Sequence, residues 1–180
     1  ANPTMRVCDL EAITKIAHQN GALVMVDNTF ATPYHMRPLN WGVDLVAHST
    51  TKYLNGHGTV VGGALIAKEG FFAETDMHIY RKNFGGISGP FDAWLTLMGL
   101  KTFPLRMKQH NYNGQEVADF LSHHPKINRI WHAGLENHPD KEIINKLMIN
   151  GHGGMIAFEL KGGLNEGVQL MNRVKLCTLA

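Results

Sequence analysis

The chain has 180 residues, 44% of them apolar and 18% charged, with a net charge of +2. That composition excludes a disordered tail, and the charge is too small for a nucleic-acid binder. Cys8 and Cys177 stand far apart with no Cys-x-x-Cys, which points to a reducing, cytoplasmic compartment, and no apolar run approaches a membrane span or a secretion signal.

In chain order, Asp9 is an expected N-cap for a helix over Leu10 to Asn20, stopped by Gly21. Leu10, Ile13, Ile16 and Ala17 form its apolar face and leave Glu11, Lys15 and His18 to solvent. A buried parallel strand follows over Ala22 to Val26. Thr32-Pro33 and Arg37-Pro38 punctuate a loop with a short helix near Pro38 to Trp41, and a second strand spans Val43 to Ala47. A third is expected over Val60 to Ala67, where Gly62-Gly63 mark a bulge or a close backbone approach.

The pattern then gives a helix over Phe71 to Lys82, a glycine-rich loop, and a helix from Phe91 to about Thr102 opened by Pro90. Its apolar run Ala93 to Met98 predicts burial. Pro104 opens a long helix to about Ser122, and a domain change is expected near there. Shorter units follow: a strand at Ile127 to Trp131, a helix at Lys141 to Met148, a turn at Gly151 to Gly154, a strand at Met155 to Leu160, a helix at Leu164 to Val174 and a strand at Leu176 to Leu179. Starting without methionine and ending in an apolar run, the chain reads as a piece of a longer protein.

Chemistry concentrates at the ends of the first two strands. One closes on Asp27-Asn28-Thr29, the other on His48-Ser49-Thr50-Thr51-Lys52. In open α/β sheets the ligand crevice lies at the carboxyl ends of strands, so an acid, two hydroxyls and an amine can share one pocket. That set suits pyridoxal phosphate, which needs an amine for a Schiff base, an anion at its ring nitrogen and donors for its phosphate. Taken singly the signals are weak: a lysine after a strand is usually a solvated strand end, Asp-Asn is a common turn pair, and Ser49 and Thr51 are also good helix caps. Other chemistries find less support. Eleven histidines include no His-Glu-x-x-His, Gly86 to Pro90 lacks the last glycine of a nucleophile elbow, and no dinucleotide or phosphate-loop fingerprint occurs.

Ala1 to Thr4, Val26 to Phe30, His48 to Gly58 and Gly62-Gly63 together resemble the signature of the pyridoxal-phosphate enzymes of cysteine and methionine metabolism, along the whole chain. The resemblance implies an α/β, fold type I, aspartate aminotransferase-like architecture. Residues 1–103 would form the C-terminal part of the cofactor domain, and 104–180 part of a small α/β domain. It implies that Lys52 holds the cofactor covalently and acts as base, that Asp27 pairs with the pyridinium nitrogen, and that Ser49 and Thr51 bind phosphate. Thr29 would lie near the ring and Asn2 near its hydroxyl. It further implies a homotetramer, a dimer of dimers with sites at the dimer interface, and a small sulfur-containing amino acid as substrate. The stretches Gly153 to Gly163 and Lys175 to Ala180 are most similar to the family's methionine-cleaving carbon–sulfur lyases. Thr59 stands where those lyases commonly carry aspartate and is similar to the family's γ-replacement enzymes, so both reactions stay open.

Overall fold

The structure, a computed structural model, describes residues 4–178. Helix α1 runs over Leu10–Gln19, and Asp9 caps it by accepting the Ala12 N–H at 3.1 Å. Gly21 turns the chain with φ +69°, a conformation that suits glycine. Three strands follow, β1 at Met25–Asp27, β2 at Leu45–Ser49 and β3 at Gly63–Ala67. β1 and β2 are parallel, with Asp27 opposite Ala47, and β3 returns antiparallel with Gly63 opposite Ser49. Between β1 and β2 lie a one-turn helix α2 at Thr32–His35, where a loop was expected, and the expected short helix at Pro38–Trp41, which is a 3₁₀ turn.

Leu10, Val43, Val46 and Leu147 form the centre of the core, flanked by Val24, Val26, Leu39 and Trp41. Burial differs from expectation at two places. β1 starts three residues later than Ala22 and is an edge strand, leaving Met25 63% exposed. On α1 it is Leu10 and Thr14 that are buried, while Ile13 and Ile16 face outward; His18 is not left to solvent alone, since its Nε2 lies 2.8 Å from Asp44 Oδ2.

Beyond β3 the expected single helix is two, α3 at Phe71–Glu74 and α4 at Met77–Phe84. α5 spans Pro90–Leu100 and α6 spans Phe103–Ser122. The apolar run of α5 is not buried: Trp94 and Leu97 are 53% and 62% exposed, and Gly99 is the helix's buried residue. An all-round apolar helix marks a surface that needs cover, and among the described residues Trp94 and Leu97 have none. β4 at Ile127–Trp131 pairs antiparallel with β5 at Ala157–Leu160, and helices α7 at Lys141–Leu147 and α8 at Leu164–Arg173 complete the order. The strand expected over Leu176 to Leu179 does not form: residues 175–177 bend, and Leu179 lies outside the described residues.

Segments distant in sequence are tied together. Asp140 takes a two-pronged bond from Arg6, with Nε at 2.7 Å and the second nitrogen at 2.6 Å, and a third from the Val7 N–H at 2.8 Å. His35 is fully buried, Nδ1 2.8 Å from Ala31 O and Nε2 2.6 Å from Asn111 Oδ1, and so joins α2 to α6.

Candidate active site

Parallel pairing brings the ends of β1 and β2 side by side, and the contact continues past the strands through the Asn28 N–H, which donates to Ala47 O at 2.9 Å. Thr29 is the joint between the two ends. Its N–H donates to Asp27 Oδ1 at 2.9 Å, its hydroxyl also bonds the carboxylate, and its Oγ1 accepts the Ser49 N–H at 2.8 Å. The two bonds from Thr29 hold the Asp27 pKa below the ordinary carboxylate value, with a smaller contribution from His48. Asp27 is therefore an anion at neutral pH, at the surface of a strand end.

After Ser49 the chain turns in a wide π-helical loop, Thr50–Leu54, in which Lys52 leaves the helical backbone with φ −85° and ψ −122°. The front of the loop is tied to the entrance of β3: Thr50 N–H donates to Gly62 O at 2.9 Å, and Thr51 Oγ1 accepts the Gly62 N–H at 3.0 Å. Gly62 shows the close approach its sequence signalled, since a Cβ there would meet Thr50 Oγ1 at 2.8 Å. Lys52 is exposed and lines a cleft of 300 Å³ with Phe30, Tyr53, Gly56, Arg106 and His110. Asp27, Thr29 and Ser49 are thus joined through hydrogen bonds, Thr51 is tied separately to Gly62 within the Lys52 loop, and Asn2 lies outside the described residues.

Several residues of this region escaped the sequence reading. Asn55, 1% exposed, stitches the loop's end by accepting from His57 N at 3.1 Å and Thr59 Oγ1 at 3.2 Å and by donating to Leu95 O at 3.3 Å. Arg106 and His110 stand one turn apart on α6 at the cleft, and burial lowers the pKa of each. His110 packs edge-on to Tyr53, with ring centroids 5.1 Å apart. A second cleft, of 260 Å³, lies between Arg129 and Pro139, and neither cleft is lined by Asp27, Ser49 or Thr51. The described residues hold no cluster of metal-ligating side chains, and no helix among them is long and apolar enough to cross a membrane.

The donor set fits pyridoxal phosphate on its chemistry: an ionised carboxylate closes β1, and two hydroxyls and an exposed primary amine stand at or just beyond the end of its parallel neighbour β2. Comparison with known proteins agrees. The chain is 48% identical over its whole length to an L-methionine gamma-lyase of Fusobacterium nucleatum and 46% identical to one of Porphyromonas gingivalis. It is 41% identical to a cystathionine beta-lyase of Coxiella burnetii. A crystal structure of cystathionine gamma synthase from Xanthomonas oryzae pv. oryzae in complex with cystathionine superposes on all of it with a TM-score of 0.94 at 38% identity. In each comparison the chain covers less than half of the other protein, 46% of the Fusobacterium and Xanthomonas enzymes and 45% of the Porphyromonas one. The pattern described as "Cys/Met metabolism PLP-dependent enzyme" matches residues 1–180, and the chain belongs to that family, with its fold type I architecture and its cofactor.

Proposed function

We propose that the protein carrying this chain eliminates the γ-substituent of a sulfur amino acid, with L-methionine as substrate and 2-oxobutanoate, ammonia and methanethiol as products. The observation that carries the reading is the Thr29 joint: one threonine holds Asp27 ionised at the end of β1 and fixes Ser49 at the end of β2, three residues before Lys52. The relatives at 45–48% identity named L-methionine gamma-lyase support methionine as substrate.

Bound here, pyridoxal phosphate would supply an electron sink for charge developing at the substrate's Cα. Lys52 Nζ would hold it covalently. Lys52 Nζ would also serve as the base for the substrate's Cα proton and then for a Cβ proton. Asp27 would hold a proton on the ring nitrogen, since an anion beside that nitrogen favours its protonated form. Ser49 and Thr51 would orient the phosphate by donating their hydroxyls. Thr29 would lie near the ring, and Asn2 is the residue the family resemblance assigns to its hydroxyl. In this reading residues 1–103 belong to the cofactor domain and 104–180 to the small domain. Exposed apolar side chains such as Phe91 at 67% and Leu105 at 72% are covered in a homotetramer.

γ-Replacement is the second reading, favoured by Thr59 and by the TM-score of 0.94 to a cystathionine gamma synthase. One assay separates the two. The full-length enzyme given L-methionine alone is expected to release 2-oxobutanoate and methanethiol, and Lys52→Ala is expected to release none. No ketoacid from methionine, together with cysteine-dependent consumption of a homoserine ester, would assign the replacement reaction instead.

A further inference from the structure

The loop that carries Lys52 is gripped from behind by a guanidinium. Arg106 donates through one terminal nitrogen to Tyr53 O at 2.8 Å, and through the other to Gly99 O at 3.0 Å and to Leu54 O and Asn55 O at 3.4 Å each. Its Nε donates to Thr102 Oγ1 at 3.1 Å, which braces the fork. Carbonyls at the end of a helical turn have no N–H partners within the turn, and one planar fork of donors answers three of them. Two glycines make the room. A Cβ on Gly56 would overlap the guanidinium, and a Cβ on Gly99 would overlap Asn55 O.

A packing role alone does not account for this placement. Arg106 is the fourth residue of α6, where a cation opposes its own helix's dipole, and burial lowers its pKa. Both costs are offset at the neighbouring elements, because the same charge sits at the carbonyl ends of the 50–54 loop and of α5. The loop is therefore anchored at two points, Gly62 in front and Arg106 behind, with Lys52 between them.

We infer that Arg106 is a positioning residue for Lys52: by fixing the loop to the α5–α6 junction it sets where Nζ stands relative to the Asp27 carboxylate. The inference rests on the reading of Lys52 as the cofactor lysine. A displacement of about 1 Å in a reacting group can slow chemistry about a hundredfold, so loss of the grip is expected to show at the covalent step more than at binding.

The test uses the full-length protein stripped of cofactor and mixed with pyridoxal phosphate. Samples are quenched over time with borohydride, which delivers hydride to the Lys52–cofactor C=N carbon and leaves a stable secondary amine. Mass spectrometry of the digested protein then measures the modified Lys52 peptide, while absorbance after desalting measures total cofactor taken up. In Arg106→Gln the uptake is expected to stay within about threefold of the parent, while the rate of Lys52 modification falls about tenfold or more. Arg106→Lys, which keeps the charge but loses the fork, is expected to recover part of that rate. Gly56→Ala displaces the guanidinium without removing it; it is expected to slow the modification in the parent and to add little in the Arg106→Gln background. If Arg106→Gln does not fold, Arg106→Lys and Gly56→Ala carry the test. Modification rates equal to the parent's in the folded variants, whatever the change in melting temperature, would overturn the inference. A parent protein that yields no modified Lys52 peptide would instead remove the reading beneath it.

Discussion

Asp27 in the strand-end cluster and Asp140 beside the N-terminal segment both have lowered pKa values, for opposite reasons. Asp140 is 6% exposed and is held to about 2 first by its side-chain bonds to Arg6, with the Val7 N–H adding to them. Its charge is matched by a cation within the chain. Asp27 is exposed and is held down by the Thr29 amide and hydroxyl, which are neutral donors. Among the described residues it makes no ion pair, so its negative charge remains available to a cationic ring nitrogen. One carboxylate is matched by a cation of its own chain, and the other is stabilised as an anion mainly by neutral donors at an exposed strand end.

Substituting the two acids separates these roles. Asp27→Asn keeps the shape and most of the Thr29 contact but loses the anion, and kcat is expected to fall about a hundredfold or more, roughly 3 kcal/mol, with KM little changed. An unchanged kcat with a raised KM would make Asp27 structural. Asp140→Asn is expected to do the reverse. The urea midpoint should drop by an amount corresponding to about 1–2 kcal/mol, discounted because Arg6 is half open to water, while kcat per folded enzyme stays at the parent's value.

Acid titration gives the smallest and most graded contrast. Burial lowers the pKa values of His35, His48, His132 and His138. Each is neutral in the fold and takes up a proton on unfolding, so its contribution is complete above the unfolded value near 6.5 and is lost as pH falls through that value. The Asp140 contribution persists to lower pH, being present above its unfolded value of 3.8 and lost as pH falls toward about 2. Stability measured by urea midpoint from pH 8 to pH 3 should therefore decline in two stages, the histidine stage first. A flat profile down to pH 4 would contradict the burial of these histidines.

Local structure was legible in the sequence and long-range cover was not. Asp9 announces α1, β4 occupies the five residues its pattern predicts, and the two apolar runs before Asp27 and Ser49 pair as parallel strands that close on those residues. Burial of α5 was misread because an apolar helix reports that it needs a partner without reporting whether the same chain provides one. The edge position of β1 was hidden for the same reason. Arg106 left no local signal, since its carbonyl partners in the Lys52 loop lie 51 to 53 residues away and an arginine early in a helix looks like solvent-facing charge.

The Thr51 hydroxyl carries a thermodynamic consequence for ligand capture. Besides accepting the Gly62 N–H, it donates to Gly62 O across 3.4 Å, a long and weak bond. A phosphate oxygen arriving there would take over the donated proton and leave the accepted one in place. The exchange replaces a weak neutral contact with a charge-assisted one, so little is given up on the protein side when the new bond forms, and β3 stays moored throughout. Serine at position 51 would preserve both halves of that exchange. Valine would forfeit the incoming bond and strand the Gly62 amide, so the loss would register in the mooring of the sheet edge as well as in anion affinity.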